Sequence, residues 1–312
     1  MPVLLTRVAS YVPAGGESNL EKLERFDTDA AFVREKIGVL RVSRKAADED
    51  TSDLCVRAFE RLSAQSGVRA ADLDCLSVCT QNPDRRGIPH TSAIVHGKLG
   101  ASAACATFDL SLGCSGFVYG LSLLHSFMAA NGFRTGVLLT CDPYSKILDA
   151  GDKNTALLFG DAAAATLLQA DPAEGGWLPT KFKFATDGRS GRALHNDTGT
   201  LTMEGRAVFN FSATAVPEQI RALLREAGLS SAEIDLFLFH QGSKFIVDTL
   251  RKRLELPLEK VPLRLAEQGN TVSSSIPLLL EEQFARRDIS RVVISGFGVG
   301  LSWASGLLER VP

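Results

Sequence analysis

The stretch "FERLSAQSGVRAADLD" at residues 59–74 recurs without a gap as "IRALLREAGLSSAEID" at residues 220–235. The alignment places Gly67 over Gly228. Each copy has the apolar spacing of an amphipathic helix, followed by a glycine that ends the helix and by a short acidic turn. A repeat of this kind indicates that one structural unit is present twice in the chain.

The segments that follow the two copies also match each other. "CLSVCTQ" at 75–81 and "LFLFHQG" at 236–242 are apolar runs, which are typical of strands in a sheet that is covered on both faces. Further on, "GCSGFVYGLSLL" at 113–124 aligns with "GNTVSSSIPLLL" at 269–280. The sequence therefore predicts an α/β fold made of two pseudo-repeated halves. The predicted halves cover residues 1–170 and 171–312.

The composition is that of a globular protein with a large core. The chain has 312 residues, of which 45% are hydrophobic, and its formal net charge is -2. This balance gives no reason to expect nucleic acid or an anionic membrane as the main partner. The uncharged run at 110–133 holds several glycines and polar residues, which favours a buried helix over a membrane span. Because the N-terminus also lacks the basic region of a secretion signal, we expect a cytoplasmic protein.

The six cysteines include no CxxC pair, and the five histidines have no spacing typical of metal ligands. We therefore expect neither disulfides nor a metal site.

The repeat gives three polar residues a common placement. Cys114 and Asn270 occupy equivalent points in the two copies, each after a glycine and before a mostly apolar helix, and His240 ends a strand. Taken singly, they would be interpreted as a core cysteine, a helix cap and a satisfied strand-end histidine. In α/β sheets, however, ligands bind at such element ends. Together the three residues favour a catalytic site.

The order and spacing of five motifs identify a family. From about residue 3 to about residue 310 the chain resembles the thiolase superfamily and, within it, the β-ketoacyl-acyl-carrier-protein synthase III family. The resemblance implies a five-layered αβαβα fold, usually assembled as a homodimer. The motifs are "GCSGF" at 113–117, "FGDAAAA" at 159–165, "HQGS" at 240–243, "GNTVSSSIPLLL" at 269–280 and "GFGVGLSW" at 296–303.

The same resemblance implies a reaction. It implies a Cys114, His240 and Asn270 triad, in which acyl-CoA acylates Cys114 and a malonyl thioester of carrier protein or CoA then condenses with loss of CO₂. The backbone N–H groups of Cys114 and of Val299, where the family usually has glycine, would form the oxyanion hole. We expect the helix N-terminus beside Cys114 to lower the pKa of its thiol. No tightly bound cofactor is implied.

Binding positions carry over less directly. Phe32 stands where the family has a tryptophan that stacks on the CoA adenine, and Lys36 and Lys153 stand where it often has arginines near the nucleotide phosphates. A basic helix after His240 matches the region that receives the acidic acyl carrier protein. Its cations are Lys244, Arg251, Lys252 and Arg253.

Two other functions remain open on the sequence. One is an acyltransferase of the same fold that passes the acyl group from Cys114 to an alcohol or amine. The other is a non-catalytic subunit of a heteromer. The intact triad argues against the subunit, and Asn270 favours condensation over simple transfer. The identity of the acyl primer and the choice between fatty acid and specialised metabolite biosynthesis also remain open.

Overall fold

A computed structural model describes residues 2–312, and within this range it contains thirteen strands and seven α-helices. The strands are β1 (Val3–Tyr11), β2 (Gly16–Ser18), β3 (Arg41–Ser43), β4 (Cys75–Cys79), β5 (Ala106–Leu110), β6 (Thr135–Cys141), β7 (Ala163–Ala170), β8 (Gly176–Thr186), β9 (Leu194–His195), β10 (Thr202–Met203), β11 (Leu236–Phe239), β12 (Arg291–Gly298) and β13 (Ser302–Val311). The helices are α1 (Thr51–Ser66), α2 (Thr91–Leu99), α3 (Gly116–Asn131), α4 (Lys153–Ala156), α5 (Gly205–Ala227), α6 (Lys244–Arg253) and α7 (Ser275–Gln283).

The sequence repeat reappears as a repeat of strand order. In the first half the order is β5-β4-β6-β7-β1, and in the second it is β11-β12-β13-β8. In each half a parallel pair, β4 with β6 or β11 with β12, is followed by two antiparallel pairings. Within the sheet, the strands of the two halves pair at one point, Leu5 of β1 with Trp177 of β8. The predicted two-half α/β fold is confirmed, whereas the boundary at residue 170, in the turn between β7 and β8, remains a prediction.

Helices complete five layers. The central helix α3 packs against β4 and β6 of the first half and against β12 and β13 of the second, and α7 likewise touches strands of both halves. The first sheet is covered on its outer face by α1 and the second by α5. The layers are therefore helix, sheet, helix, sheet and helix, the order that the family resemblance implies.

Helices α1 and α5, which begin the two repeated segments, end at the glycines that the sequence predicts. Gly67 follows α1 with a φ of 74°, and Gly228 follows α5 with a φ of 69°. Both lie in the left-handed region, where glycine carries no steric penalty. At the start of α1, Asp50 and Asp53 form a reciprocal capping box.

The uncharged run at 110–133 is explained by the position of α3 between two sheets. Its buried face includes Phe117, Leu121 and Leu124, none of which is exposed at all. Within residues 2–312, no helix combines the length and apolar character needed to cross a bilayer. All six cysteines are free and buried, and the described part of the chain holds no cluster of three metal-ligating side chains.

Candidate active site

One cavity of about 370 Å³ receives all three residues of the predicted triad. Cys114, His240 and Asn270 line it, although they come from both halves of the chain. Most of the remaining wall is apolar. Its apolar members include Leu158, Phe159, Leu194, Met203 and Val208.

Cys114 lies in the loop between β5 and α3, just before the helix N-terminus, and is 4% exposed. The end of β12 passes directly against it. A Cβ at Gly298 would lie 2.7 Å from the Cys114 Sγ, and one at Gly296 would lie 2.6 Å from the Cys114 carbonyl oxygen. Since real Cβ atoms do not approach so closely, the glycines of the "GFGVG" motif allow the backbone to reach the thiol.

The surroundings of Cys114 do not lower the pKa of its thiol. Burial raises the pKa of Cys114 to about 12, although hydrogen bonding from the backbone of Val299 and of Cys114 itself acts to lower it. The expectation of a lowered pKa is therefore wrong, because loss of contact with water outweighs the favourable backbone groups. The thiol therefore stays protonated at neutral pH.

The two backbone groups predicted to form the oxyanion hole meet at this thiol. Val299 lies in the turn Val299–Leu301 between β12 and β13. Its own φ is not positive, whereas the next residue, Gly300, has a φ of 87°. A β-branched residue therefore fits at position 299 without strain, and its N–H remains directed at Cys114.

His240 follows the end of β11, is 2% exposed, and is held in one orientation. Its Nδ1 lies 2.7 Å from the Oγ of Ser275, and the same Oγ accepts a separate hydrogen bond from the Gln241 N–H at 3.4 Å. We assign the serine proton to this contact with Nδ1, which leaves the ring proton on Nε2. Burial lowers the pKa of His240 to about 3, partly opposed by a backbone hydrogen bond with Val272. The imidazole is therefore neutral at physiological pH.

Asn270 is fixed by backbone and side chain together. Its N–H donates to the Leu158 carbonyl at 2.8 Å, and its carbonyl accepts from the Gly160 N–H at 3.0 Å. Its side-chain Oδ1 accepts from the Val272 N–H at 2.9 Å. A Cβ at Gly160 would lie 1.7 Å from the Gln268 carbonyl oxygen, so only glycine fits beside this segment. With Oδ1 engaged, the amide N–H groups are the part of Asn270 available to a ligand.

The three predicted CoA-binding residues do not all line the cavity, because Lys153 is absent from its wall. Phe32 and Lys36 line it, and they belong to a π-helical turn, Phe32–Ile37. The Nζ of Lys153 lies 5.7 Å above the Phe32 ring, and the Nζ of Lys36 lies 4.6 Å above the ring of Phe245. This part of the structure thus combines cations with aromatic faces, and its role in binding CoA stays a prediction.

The four predicted docking cations differ in their surroundings on α6. Lys252 and Arg253 are exposed. Lys244 forms ion pairs with two acidic side chains, Glu35 at 3.1 Å and Asp248 at 3.4 Å. Arg251 donates to the Leu256 carbonyl at 3.2 Å, and its Nε is buried. Lys252 and Arg253 are therefore the exposed pair at the C-terminal end of the helix.

Sequence reasoning missed the partners of the triad. In the run of serines at 273–275, Ser273 donates to Asp142, Ser274 to a carbonyl of β6, and Ser275 contacts His240. The sequence shows three consecutive serines and does not distinguish their roles, because these roles depend on the 3-10 turn at Val272–Ser274.

Comparisons with known proteins agree on one family. The family model described as 3-oxoacyl-[acyl-carrier-protein (ACP)] synthase III matches residues 108–188, and its C-terminal counterpart matches residues 224–310. The β-ketoacyl-[acyl-carrier-protein] synthase III of Lactococcus lactis subsp. lactis (strain IL1403) is 33% identical over 324 residues, covering 98% of each chain.

Solved structures give the same result. A crystal structure of a 3-oxoacyl-(acyl-carrier-protein) synthase III superposes with a TM-score of 0.92 at 33% identity, covering 99% of this chain and 100% of the other. The corresponding synthase III of Pseudomonas aeruginosa PAO1 gives a TM-score of 0.90 at 31% identity, covering 100% of both chains.

Proposed function

The chain belongs to the β-ketoacyl-acyl-carrier-protein synthase III family of the thiolase superfamily, and on that premise we propose that Cys114, His240 and Asn270 divide its reaction between them. It is an acyltransferase, a condensing enzyme of fatty acid biosynthesis. Neither transfer to an alcohol or amine nor a non-catalytic role gains support from its relatives.

We propose that acyl-CoA supplies the first acyl group. The Cys114 sulfur attacks the thioester carbonyl, the new carbon–sulfur bond forms, and CoA leaves as a thiol that carries the proton lost by Cys114. Negative charge on the carbonyl oxygen is stabilised by the backbone N–H groups of Cys114 and Val299. Because the product is again a thioester, the exchange is nearly balanced in energy. Phe32, Lys36 and Lys153 hold the nucleotide of CoA at the rim.

The second substrate in this proposal is a malonyl thioester on an acyl carrier protein. Its carbon–carbon bond to the carboxylate breaks, CO₂ leaves, and the bonding electrons pass into an enolate. His240 through Nε2–H and Asn270 through its amide stabilise the enolate oxygen, since both donors are neutral and preorganised. The enolate carbon then attacks the acyl carbon, the bond from that carbon to the Cys114 sulfur breaks, and the departing thiolate takes up a proton from solvent, which restores the thiol. All donors belong to the chain itself, so the proposed mechanism uses no tightly bound cofactor.

We further propose a homodimer that acts in the cytoplasm. Strand β5 ends the sheet, with β4 on one side, and unpaired strand edges invite a further strand. Beside this edge, Phe108 of β5 packs edge-to-face against Phe127 of α3, and Leu123 on the same helix is 45% exposed. Antiparallel pairing of β5 with the same strand of a second copy would cover this apolar surface. Six free cysteines suit a reducing compartment.

The observation that carries the proposed mechanism is that Asn270 shares one cavity with Cys114 while its Oδ1 is already engaged by Val272. Replacing Asn270 with alanine removes one donor from the enolate site. We expect CO₂ release from a malonyl thioester to fall by roughly 10²-fold or more, the scale of a lost oxyanion donor, while acylation of Cys114 persists. Intact-protein mass after one turnover measures acylation, and radiolabelled CO₂ measures decarboxylation.

The control is Cys114→Ala, which should take up no acyl group. Wild-type protein that acylates readily but never releases CO₂ from malonyl-CoA or malonyl carrier protein would overturn the proposed mechanism.

A further inference from the structure

A buried carboxylate ties the two halves together beside the cavity. Asp142 follows the end of β6 and is completely buried. It accepts from the N–H of Gln81, which follows β4 in the same half, at 2.7 Å, and from the Oγ of Ser273, in the other half, at 2.5 Å. A carboxylate buried without a cation is costly to the fold, so its presence calls for a role that a neutral side chain would not fill.

The Ser273 contact holds a strained turn. Val272 has a φ of 53°, a left-handed conformation that β-branched residues rarely adopt. Such conformations persist only when the surroundings fix them. The N–H of this same Val272 engages the Oδ1 of Asn270 at 2.9 Å. A continuous chain of contacts therefore runs from Asp142 through Ser273 and Val272 to Asn270.

We propose that Asp142 is a positioning residue, which through Ser273 fixes the turn that aims the Asn270 amide at the enolate. The inference rests on the proposed function, because it gives Asp142 a part in the decarboxylation step. Asp142 does not line the cavity, so it acts on substrate only through these intermediates.

The negative charge of Asp142 acts against acylation of Cys114, the first step of the proposed reaction. It adds to the burial that raises the pKa of Cys114 and so opposes formation of the thiolate. Cys79, Cys141 and Tyr144 face the same carboxylate, and the pKa of each is raised, first by burial, so all stay neutral. Burial raises the pKa of Asp142 itself to about 6, which leaves it mainly ionised at neutral pH. Asp142 therefore favours decarboxylation while it slows attack by Cys114.

Two substitutions separate these effects. Ser273→Ala breaks the chain of contacts but keeps the charge, so the kcat for CO₂ release should fall by about 10- to 100-fold, the scale of a misplaced catalytic group, with KM little changed. Alkylation of Cys114 by iodoacetamide should stay at the wild-type rate. Asp142→Asn removes the charge as well, so CO₂ release should fall while alkylation of Cys114 at pH 7.5 rises by about threefold or more.

Asp84→Asn is the matched control. Asp84 is also buried and accepts from a backbone N–H and a serine hydroxyl, those of Ser52, at 2.9 and 2.5 Å, but it lies outside the cavity. The inference is wrong if Ser273→Ala keeps full CO₂ release. It is also wrong if CO₂ release and alkylation of Cys114 both fall in Ser273→Ala to the same extent as they do in Asp84→Asn. Wild-type protein that releases no CO₂ would instead overturn the proposed function, which keeps the two failures distinct.

Discussion

The close approach of the β12 backbone to Cys114 leads to a specific prediction for one residue, Gly298. Gly298→Ala would place a methyl group 2.7 Å from the Sγ and 2.8 Å from the Cβ of Cys114. We expect acylation of Cys114 to fall by about 10²-fold, since a displaced nucleophile loses its alignment with the oxyanion donors. The overpacking should also cost about 1–3 kcal/mol of unfolding free energy. Acyl-enzyme mass against time and urea unfolding measure the two effects.

Gly97→Ala on α2 provides the comparison. A Cβ there meets nothing within 4 Å, and helix propensity favours alanine. Both its acylation rate and its stability should match or exceed those of the wild type. Acylation at the wild-type rate in Gly298→Ala would contradict the close approach of β12 to the thiol.

Single residues were predictable where the repeat gave them a position. Cys114 and Asn270 could be singled out because each occupies the same point of its copy, and the structure brings both to one cavity. The thiol pKa could not be predicted, since it depends on how completely the assembled fold excludes water from Cys114. Asp142 could not be found either, because its partner Ser273 lies in the other half of the chain.

Among the elements, α6 carries the expectation for carrier-protein docking. Lys252 and Arg253 are exposed at its C-terminal end, whereas Arg251 is committed to the Leu256 carbonyl. The double variant Lys252→Glu, Arg253→Glu should raise KM for malonyl carrier protein by about tenfold, because charges at the edge of an interface act mainly on encounter. Acylation by a short acyl-CoA should not change. Steady-state kinetics at low and high salt would measure the effect, which salt should weaken.

Arg57→Glu is a charge reversal on the exposed face of α1, remote from α6 in the fold. It should leave unchanged both the KM for malonyl carrier protein and acylation by a short acyl-CoA. An equal rise in KM for carrier protein in this control would place the docking surface elsewhere.

Elements were predictable where they repeat and not where they are solitary. The glycines at 67 and 228 ended their helices as the sequence indicated, because a helix stop followed by a turn is a local pattern. The π-helical turn at Phe32–Ile37 has no repeated counterpart in sequence, and the strained turn at 272–274 aligns with residues 116–118, which begin helix α3 instead. Both are shaped by what packs around them, so local propensity gives no indication of either.

At the scale of the whole molecule, the edge strand β5 and α3 determine the expected assembly. Leu123→Arg places a charge on the apolar surface that we propose is covered by a second copy. An unpaired charge in such an interface is strongly unfavourable, so the variant should sediment as a monomer at concentrations where the wild type is a dimer. Sedimentation equilibrium measures the association directly. Leu258→Arg changes another exposed leucine, 67% exposed, and should leave the dimer intact.

The architecture as a whole followed from one repeated segment. Two copies of a helix, a glycine stop and an apolar strand predicted two similar α/β halves, and the uncharged segment at 110–133 predicted a buried helix. The structure places that helix between strands of both halves, an arrangement that only the family resemblance implied. The sequence could not show that the strands of the two halves pair through Leu5 and Trp177, because a pairing so far apart in the chain leaves no local pattern.

In the proposed mechanism, the apolar wall of the cavity also protects two reactive species from water, the acyl thioester on Cys114 and the carbanion left by CO₂. Water competes for both, as a nucleophile toward the thioester on Cys114 and as a proton source for the carbanion left by CO₂. A pocket lined by groups such as Leu158, Phe159 and Leu194 offers water few hydrogen-bonding partners. In the proposed mechanism this wall would suppress both hydrolysis of the thioester and protonation of the carbanion, and would thereby link release of CO₂ to formation of the new carbon–carbon bond.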